Sequence, residues 1–419
     1  MSIKRSSGIL LPISSLPSNY GIGTFGKAAY DFVDFLLKAN QTYWQILPLN
    51  PTGYGDSPYQ AFCTYAGNPY FIDLDILCDE KLLDKKDLNK LKVKNLSKVD
   101  YAYLYKTRFN ILYKAYLNGI KKYKKSFNSF IQENINWIED YALFMSLKKH
   151  FDMKSWLDWP DIDIKSRHPE AMDKYKELLK DDINFYSFIQ FLFFRQYKKL
   201  KKYANSKGIK IIGDLPIYVA LDSSDVWANI EEFKIDTDTI VPKEVAGVPP
   251  DYFSKDGQLW GNPLYNWDYM ALNGYKWWIE RIDGARKLYD VIRIDHFRGL
   301  HEYWSVPYGD KTARNGKWNK GPGIHFVTVI KEWFYDTQFI AEDLGIIDEN
   351  VTKLLMDSGF PGMRVLQFGM SPDGTSYHMP RHDLPRYAKT LLNKGFLWLQ
   401  PSKKPTFYQH WKQFFEVGK

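Results

Sequence analysis

The sequence predicts an α/β fold around a parallel sheet, of the size of a (β/α)8 barrel carrying a helical insertion. Three observations predict it. Six apolar runs recur near residues 8, 43, 209, 291, 338 and 363, with helical periodicity between them. Two of these runs, VIRIDHFRG (291–299) and FIAEDLG (339–345), end in a carboxylate. Charged side chains directly after buried parallel strands belong at the mouth of a barrel or sheet, where α/β enzymes keep their chemistry. The 419-residue chain is long enough for one barrel with an insertion, or for two or three smaller domains.

Taken in order, GILLPI (8–13) reads as a first buried strand. Residues 26–39 carry Ala29, Phe32, Val33, Leu36 and Leu37 at helical spacing, and YWQILPL (43–49) reads as a second strand. This is a β-α-β start. A polar loop rich in Gly, Pro and Tyr follows, PTGYGDSPYQAF. Residues 81–205 change character: lysine clusters such as KKYKK and helical periodicity as in EDYALFMSLKKHF predict a mostly helical insertion. Alternation returns with IKIIGDLPIYV (209–219), a helix over 275–290 feeding VIRID, a helix over 324–336 feeding QFIAED, a short helix over 349–358 and the strand GMRVLQFG (362–369). The expected organisation is therefore 1–80 as the first part of the barrel, 81–205 as the helical insertion, 206–375 as the barrel's continuation with its active-site loops, and 376–419 as a tail. An eight-stranded barrel needs two strands beyond the six.

Composition removes several classes. The net charge of +8 comes mostly from lysine spread over helices, which reads as a solvated surface and argues against nucleic-acid binding. Cys63 and Cys78 are the only cysteines, too few for a disulfide framework. The N-terminal apolar run is broken by Pro12, and no run of 18 apolar residues exists, so neither a signal peptide nor a membrane span is expected. A cytoplasmic enzyme follows. With 14 Trp and 30 Tyr, the chain has many aromatic faces of the kind that stack on sugar rings.

Three motif matches are decoys. GIGTFG (21–26) fits G-x-G-x-x-G but does not directly follow a strand and lacks the acid roughly 20 residues on. His301-Glu302 begins like H-E-x-x-H, but Ser305 stands at the second ligand position. His378 and His382 are separated by Pro380, with no third ligand evident, and no G-x-S-x-G elbow occurs.

The strand-end acids suit glycosidic chemistry. A carboxylate must sit beneath the anomeric carbon, and a second, protonated carboxyl must reach the glycosidic oxygen, roughly 5 Å away in retaining enzymes. Asp295 and Glu342 are about one βα unit apart, so neighbouring strands would bring them together. Arg293 lies two before Asp295, on the same strand face, and is expected to hold it ionised and lower its pKa. His296 can donate to a sugar hydroxyl, Glu342 needs an upward shift, and Asp214 ends another strand.

The chain resembles the 4-α-glucanotransferases of glycoside hydrolase family 77, the amylomaltases or disproportionating enzymes. The matching segments are SSLPSNYGIGTFG, YWQILPLNPTGYGDSPYQ, AGNPYFIDL, GDLPIYVA, GVPPDYFSKDGQLWGNPLYNW, IRIDHFRG, IAEDLG and GFPGMRVLQF, in family order over most of residues 7–370. The resemblance implies a (β/α)8 barrel of the α-amylase superfamily type and double displacement on α-1,4-glucans, with a maltodextrin donor and a glucose or maltodextrin acceptor. It implies Asp295 as nucleophile and Glu342 as general acid/base, with Arg293, His296 and Asp214 around the donor sugar. Tyr59 and Ser57, with Asp251, Gln258 and Trp260, would line the groove, and Tyr54 would be the aromatic over which the glucan bends. No metal and no organic cofactor is implied. The 247–262 loop, with Tyr252, Phe253 and Trp260, is the expected lid that keeps water from the covalent intermediate.

After about residue 380 the family pattern is not found: no T-H-D-N follows, and that motif's Asp is the family's third catalytic carboxylate. Asp383 lies too early to replace it. GFLWLQ (395–400) reads as a strand and TFYQHWKQFFE (406–416) as an amphipathic helix. The expectation is a frameshifted or shortened gene product lacking strands seven and eight, with open edges on strands six and one. Two other readings stand beside the transferase: an α-amylase-type hydrolase, and an inactive glucan-binding remnant.

Overall fold

The computed structural model describes residues 6–365, except 54, 94–96, 252–253 and 346, together with 397–398. Five strands form one parallel sheet in chain order: β1 (Gly8–Leu10), β2 (Tyr43–Gln45), β3 (Lys210–Leu215), β4 (Val291–Ile294) and β5 (Gln338–Ala341). Each connection ends in a helix. These are α1 (Lys27–Lys38), α2 (Lys180–Ser206), α3 (Lys276–Leu288) and α4 (Gly323–Trp333), and α5 (Glu349–Ser358) then leads to β6 (Arg364–Val365). This is the alternation that the apolar runs predict, with all six strands at their expected places.

Local chemistry explains the boundaries. In α1, Ala29, Val33 and Leu36 recur on one buried stripe. Gly26 precedes it as the N-cap because a Cβ there would sit 1.9 Å from the Asp73 carboxylate. Asp73 in turn accepts from the Thr24 hydroxyl at 2.6 Å, so an internal carboxylate already occupies this glycine-rich turn. In α5, Asp348 caps the N-terminus through the N–H groups of Asn350 and Val351, and Gly359 ends the helix at φ 69°.

Residues 81–205 hold helices over Tyr101–Gly119, Lys124–Glu133, Ile138–His150 and Pro169–Leu178 before α2. They share one continuous core with the strands. Phe193 of α2 packs edge-on against Phe25 at 5.1 Å, and the Tyr197 hydroxyl donates to the Leu288 carbonyl. The last turns of α2 thus serve as the crossover into β3.

A second, antiparallel sheet was not expected. Glu244–Val248, Gln258–Pro263, Glu302–Pro307 and Lys317–Lys320 pair in the order 317–320, 302–307, 244–248, 258–263. It is assembled from the loops that leave β3 and β4, on the side where those strands end.

Inside the parallel sheet, Tyr43, Ile212, Val291, Ile340 and Met363 form their own apolar cluster. These are the inward positions of five successive strands or strand approaches, as the period of two requires. The Ala341 N–H donates to the Pro361 carbonyl, which places the sixth strand's approach beside β5. β6 pairs in parallel with Leu397–Trp398. Beside the expected open edge on strand six, the chain thus returns at 397–398, inside the run 395–400 read as a strand. The readings for 366–396 and 399–419, including His378, His382, Asp383 and the helix at 406–416, lie outside the described residues.

Candidate active site

Strand register sets the site. Asp214 and Arg293 are direct partners across β3 and β4, and Ile294 pairs with Ala341 across β4 and β5. The next step along that register sets Asp295 beside Glu342, where parallel strands run about 4.8 Å apart. Glu342 N–H donates to the Ile294 carbonyl and Asp295 N–H to the Leu215 carbonyl, so both acids are held by the ends of the ladder.

One guanidinium serves three carboxylates. Arg293 Nη1 bonds Asp214 Oδ1 and lies 3.0 Å from Asp295 Oδ1, while its Nη2 lies 4.0 Å from Glu342 Oε2. Nε reaches the Met363 sulfur at 3.2 Å. The Asp214 side chain is 1% exposed and that of Asp295 25%, so Asp214 forms the floor and Asp295 faces the opening. Tyr59 crosses from the 51–62 loop and donates its hydroxyl to Asp214 Oδ2 at 2.7 Å. Burial, then the charges of Asp214 and Asp295, push this phenol up, so it remains a donor.

Two carboxylates carry upward shifts. Burial first, and Asp214 second, push Asp295 up to about 7, against the pull of Arg293. Arg293 pulls the Asp295 pKa down, as expected, but the expectation of a net downward shift is corrected: the guanidinium is shared, and one cation does not offset burial beside two other acids. Burial also raises Glu342, as expected, against Arg293 and two backbone donors. Those donors are the N–H groups of His296 and Leu344, each at 2.8 Å. Asp295 and Glu342 thus both sit above the usual carboxylate range, each raised chiefly by burial. Arg293 lies closer to Asp295 than to Glu342, so it favours the ionised form of Asp295 more strongly.

His296 takes a left-handed backbone, φ 48°, uncommon for a non-glycine residue. That turn aims its N–H at Glu342. Burial, with Arg298 nearby, lowers the imidazole to about 4, so it is neutral at working pH. Trp260 stands edge-on to it, ring centroids 4.9 Å apart. Gln258 accepts from the Trp260 indole at 3.2 Å and is exposed. Asp251 closes a turn by accepting the Ser254 N–H at 2.8 Å, and the Ser57 hydroxyl accepts the Tyr59 N–H at 3.3 Å. Tyr54, Tyr252 and Phe253 lie outside the described residues. The two ends of the expected lid lie on paired antiparallel strands, Glu244–Val248 and Gln258–Pro263.

The supports of the site were not legible in the sequence. Arg281, fully buried and stacked on Trp278, donates to the Pro216 and Ile217 carbonyls just past Asp214. Asp225 accepts the Thr64 N–H at 2.8 Å at the root of the Tyr59 loop. Asp343 accepts the Met363 N–H at 2.6 Å and pairs with Arg364 at 2.9 Å, tying strand six beside Glu342. Only the second acid of AEDLG hinted at this. Apart from these, His301 and Glu302 meet Asp348 with ligand atoms within 4.8 Å of one another, and the Arg298 guanidinium lies 3.7 Å from Asp348. A protein cation already stands beside that cluster.

The sequence profile of glycoside hydrolase family 77, described as 4-alpha-glucanotransferase, matches residues 11–391. The chain belongs to that family. The match reaches past residue 380. The 4-alpha-glucanotransferase of Clostridium butyricum is 52% identical over 371 residues, covering 88% of this chain and 76% of that protein. That of Streptococcus pneumoniae is 49% identical, covering 90% and 75%. The amylomaltase from Streptococcus agalactiae, solved in complex with acarbose, superimposes with a TM-score of 0.87 at 46% identity, covering 90% of this chain and 77% of that one. The activity of this family-77 chain is 4-alpha-glucanotransferase.

Proposed function

We propose that this glucanotransferase moves α-1,4-glucan segments between maltodextrins by retaining double displacement, with Asp295 as nucleophile and Glu342 as acid/base. The observation that carries the reading is the placing of these two acids on adjacent strand ends around Arg293. Asp295 attacks the anomeric carbon of the donor as the glycosidic bond breaks, and the Glu342 proton passes to the departing 4-oxygen. A covalent glucosyl-Asp295 remains. The acceptor's 4-hydroxyl then displaces Asp295 and returns its proton to Glu342.

The surroundings suit these steps. Asp214 and Arg293, locked together and topped by the Tyr59 hydroxyl, offer hydrogen bonds to the donor sugar's hydroxyls. Neutral His296 donates to the same sugar, and Trp260 supplies an apolar wall. Ser57, Asp251 and Gln258 line the groove beyond. The hairpin of Glu244–Val248 and Gln258–Pro263 is the element that would shield the intermediate from water. We place the enzyme in the cytoplasm, since Cys63 and Cys78 are both free thiols.

Incubation of the purified protein with maltotriose tests the reading. Transfer yields glucose together with longer dextrins and no net gain of reducing ends. A net gain of reducing ends would show a hydrolase instead, and an unchanged substrate would overturn the reading.

A further inference from the structure

We propose that Gln60 is a positioning residue that ties the two walls of the groove together and thereby favours a sugar over water as the acceptor. The inference rests on the transferase reading above and adds to it a residue to which no role has been given.

The geometry is specific. The 51–62 loop is a small hairpin of its own: Thr52 bridges Ala61, Gly53 N–H donates to the Gln60 carbonyl at 2.8 Å, and Phe62 N–H to the Pro51 carbonyl at 3.0 Å. Its tip carries Ser57 and Tyr59. The opposing wall is the strand Gln258–Pro263 of the antiparallel sheet, bearing Trp260. Gln60 spans the two. Its amide nitrogen donates to the Trp260 carbonyl at 3.2 Å and to Asn262 Oδ1 at 3.0 Å. Asn262, itself buried, passes the tie on by donating to the Val219 carbonyl beyond β3 at 2.8 Å.

Both ends of this tie reach the reacting groups. On one wall, Tyr59 is the next residue and bonds Asp214. On the other, Trp260 abuts His296, whose N–H orients Glu342. Releasing Gln60 frees the Trp260 wall and the Tyr59 wall to separate. Water, being small, tolerates a widened groove; an acceptor sugar loses its oriented contacts. The partition of the glucosyl-enzyme therefore shifts toward hydrolysis, while formation of that intermediate changes little.

Gln60→Met keeps the side chain's length and removes both donors. In that variant the transfer-to-hydrolysis ratio on maltotriose falls about tenfold, the scale of one or two net hydrogen bonds. The acceptor KM rises while kcat for release of the first product holds. Gln60→Ala behaves like Gln60→Met, and Asn262→Ala moves the ratio the same way without adding to Gln60→Met. Hydrogen exchange, which needs no turnover, reads the tie directly: amides of 51–62 and of 258–263 lose protection together in Gln60→Met. Unchanged protection, loss confined to one wall, or an unchanged ratio overturns the inference. A wild-type protein that only hydrolyses overturns the transferase reading, and the exchange experiment still decides the tie.

Discussion

At the scale of the residue, the site is a problem of charge. Arg293 faces Asp214, Asp295 and Glu342, and the cost falls on the acid that must stay available to substrate. Asp295 is raised from 3.8 to about 7, so between those values the folded protein holds a proton that the unfolded chain has released. Its contribution to stability is complete below about pH 4 and is lost as pH rises through 7. Asp295→Asn cannot ionise. We expect it to melt about 2 °C or more above wild type at pH 8, with the difference vanishing near pH 4, while transfer is abolished. Equal melting temperatures at pH 8 would contradict the charge account. The positions of Asp295, Glu342, Arg293 and Asp214 were legible because strand ends and a period of two are written in local sequence. The sign of the Asp295 shift was not, because it depends on how many acids share one guanidinium.

At the scale of the element, the strands act as rulers and the loops as walls. The six parallel strands and their crossover helices were readable from apolar runs and helical spacing, as α1 with Ala29, Val33 and Leu36 illustrates. The antiparallel sheet was not. Its strands lie within Gly- and Pro-rich loops and are paired by contacts distant in sequence, Trp304 with Trp318 and Gly247 among them. The same limit hid Asp343, whose partners Met363 and Arg364 lie on the next strand. The Asp343 side chain is fully buried, so Asp343→Ala removes one ion pair from Arg364 and the acceptor of the Met363 N–H. We expect a loss of about 3 kcal/mol in urea unfolding. A loss below about 1 kcal/mol would show that strand six is held by other means.

At the scale of the whole molecule, a helical stretch and a parallel sheet share one core, and the chemistry gathers where the strands end. α2 closes that arrangement. Its Gln190 exchanges hydrogen bonds with the Gly67 backbone, and its Gln196 with the Asp73 backbone, so the helices brace the root of the groove loop from behind. The central claim is that Asp295 becomes covalently attached to the donor sugar. An α-maltosyl fluoride, offered to a Glu342→Gln variant, tests it most directly: fluoride leaves without a proton donor, while the second step lacks its base. Peptide mass spectrometry of the quenched protein should find the glycosyl group on the peptide containing Asp295. An adduct on any other residue, or fluoride release through many turnovers with no adduct, would contradict the account.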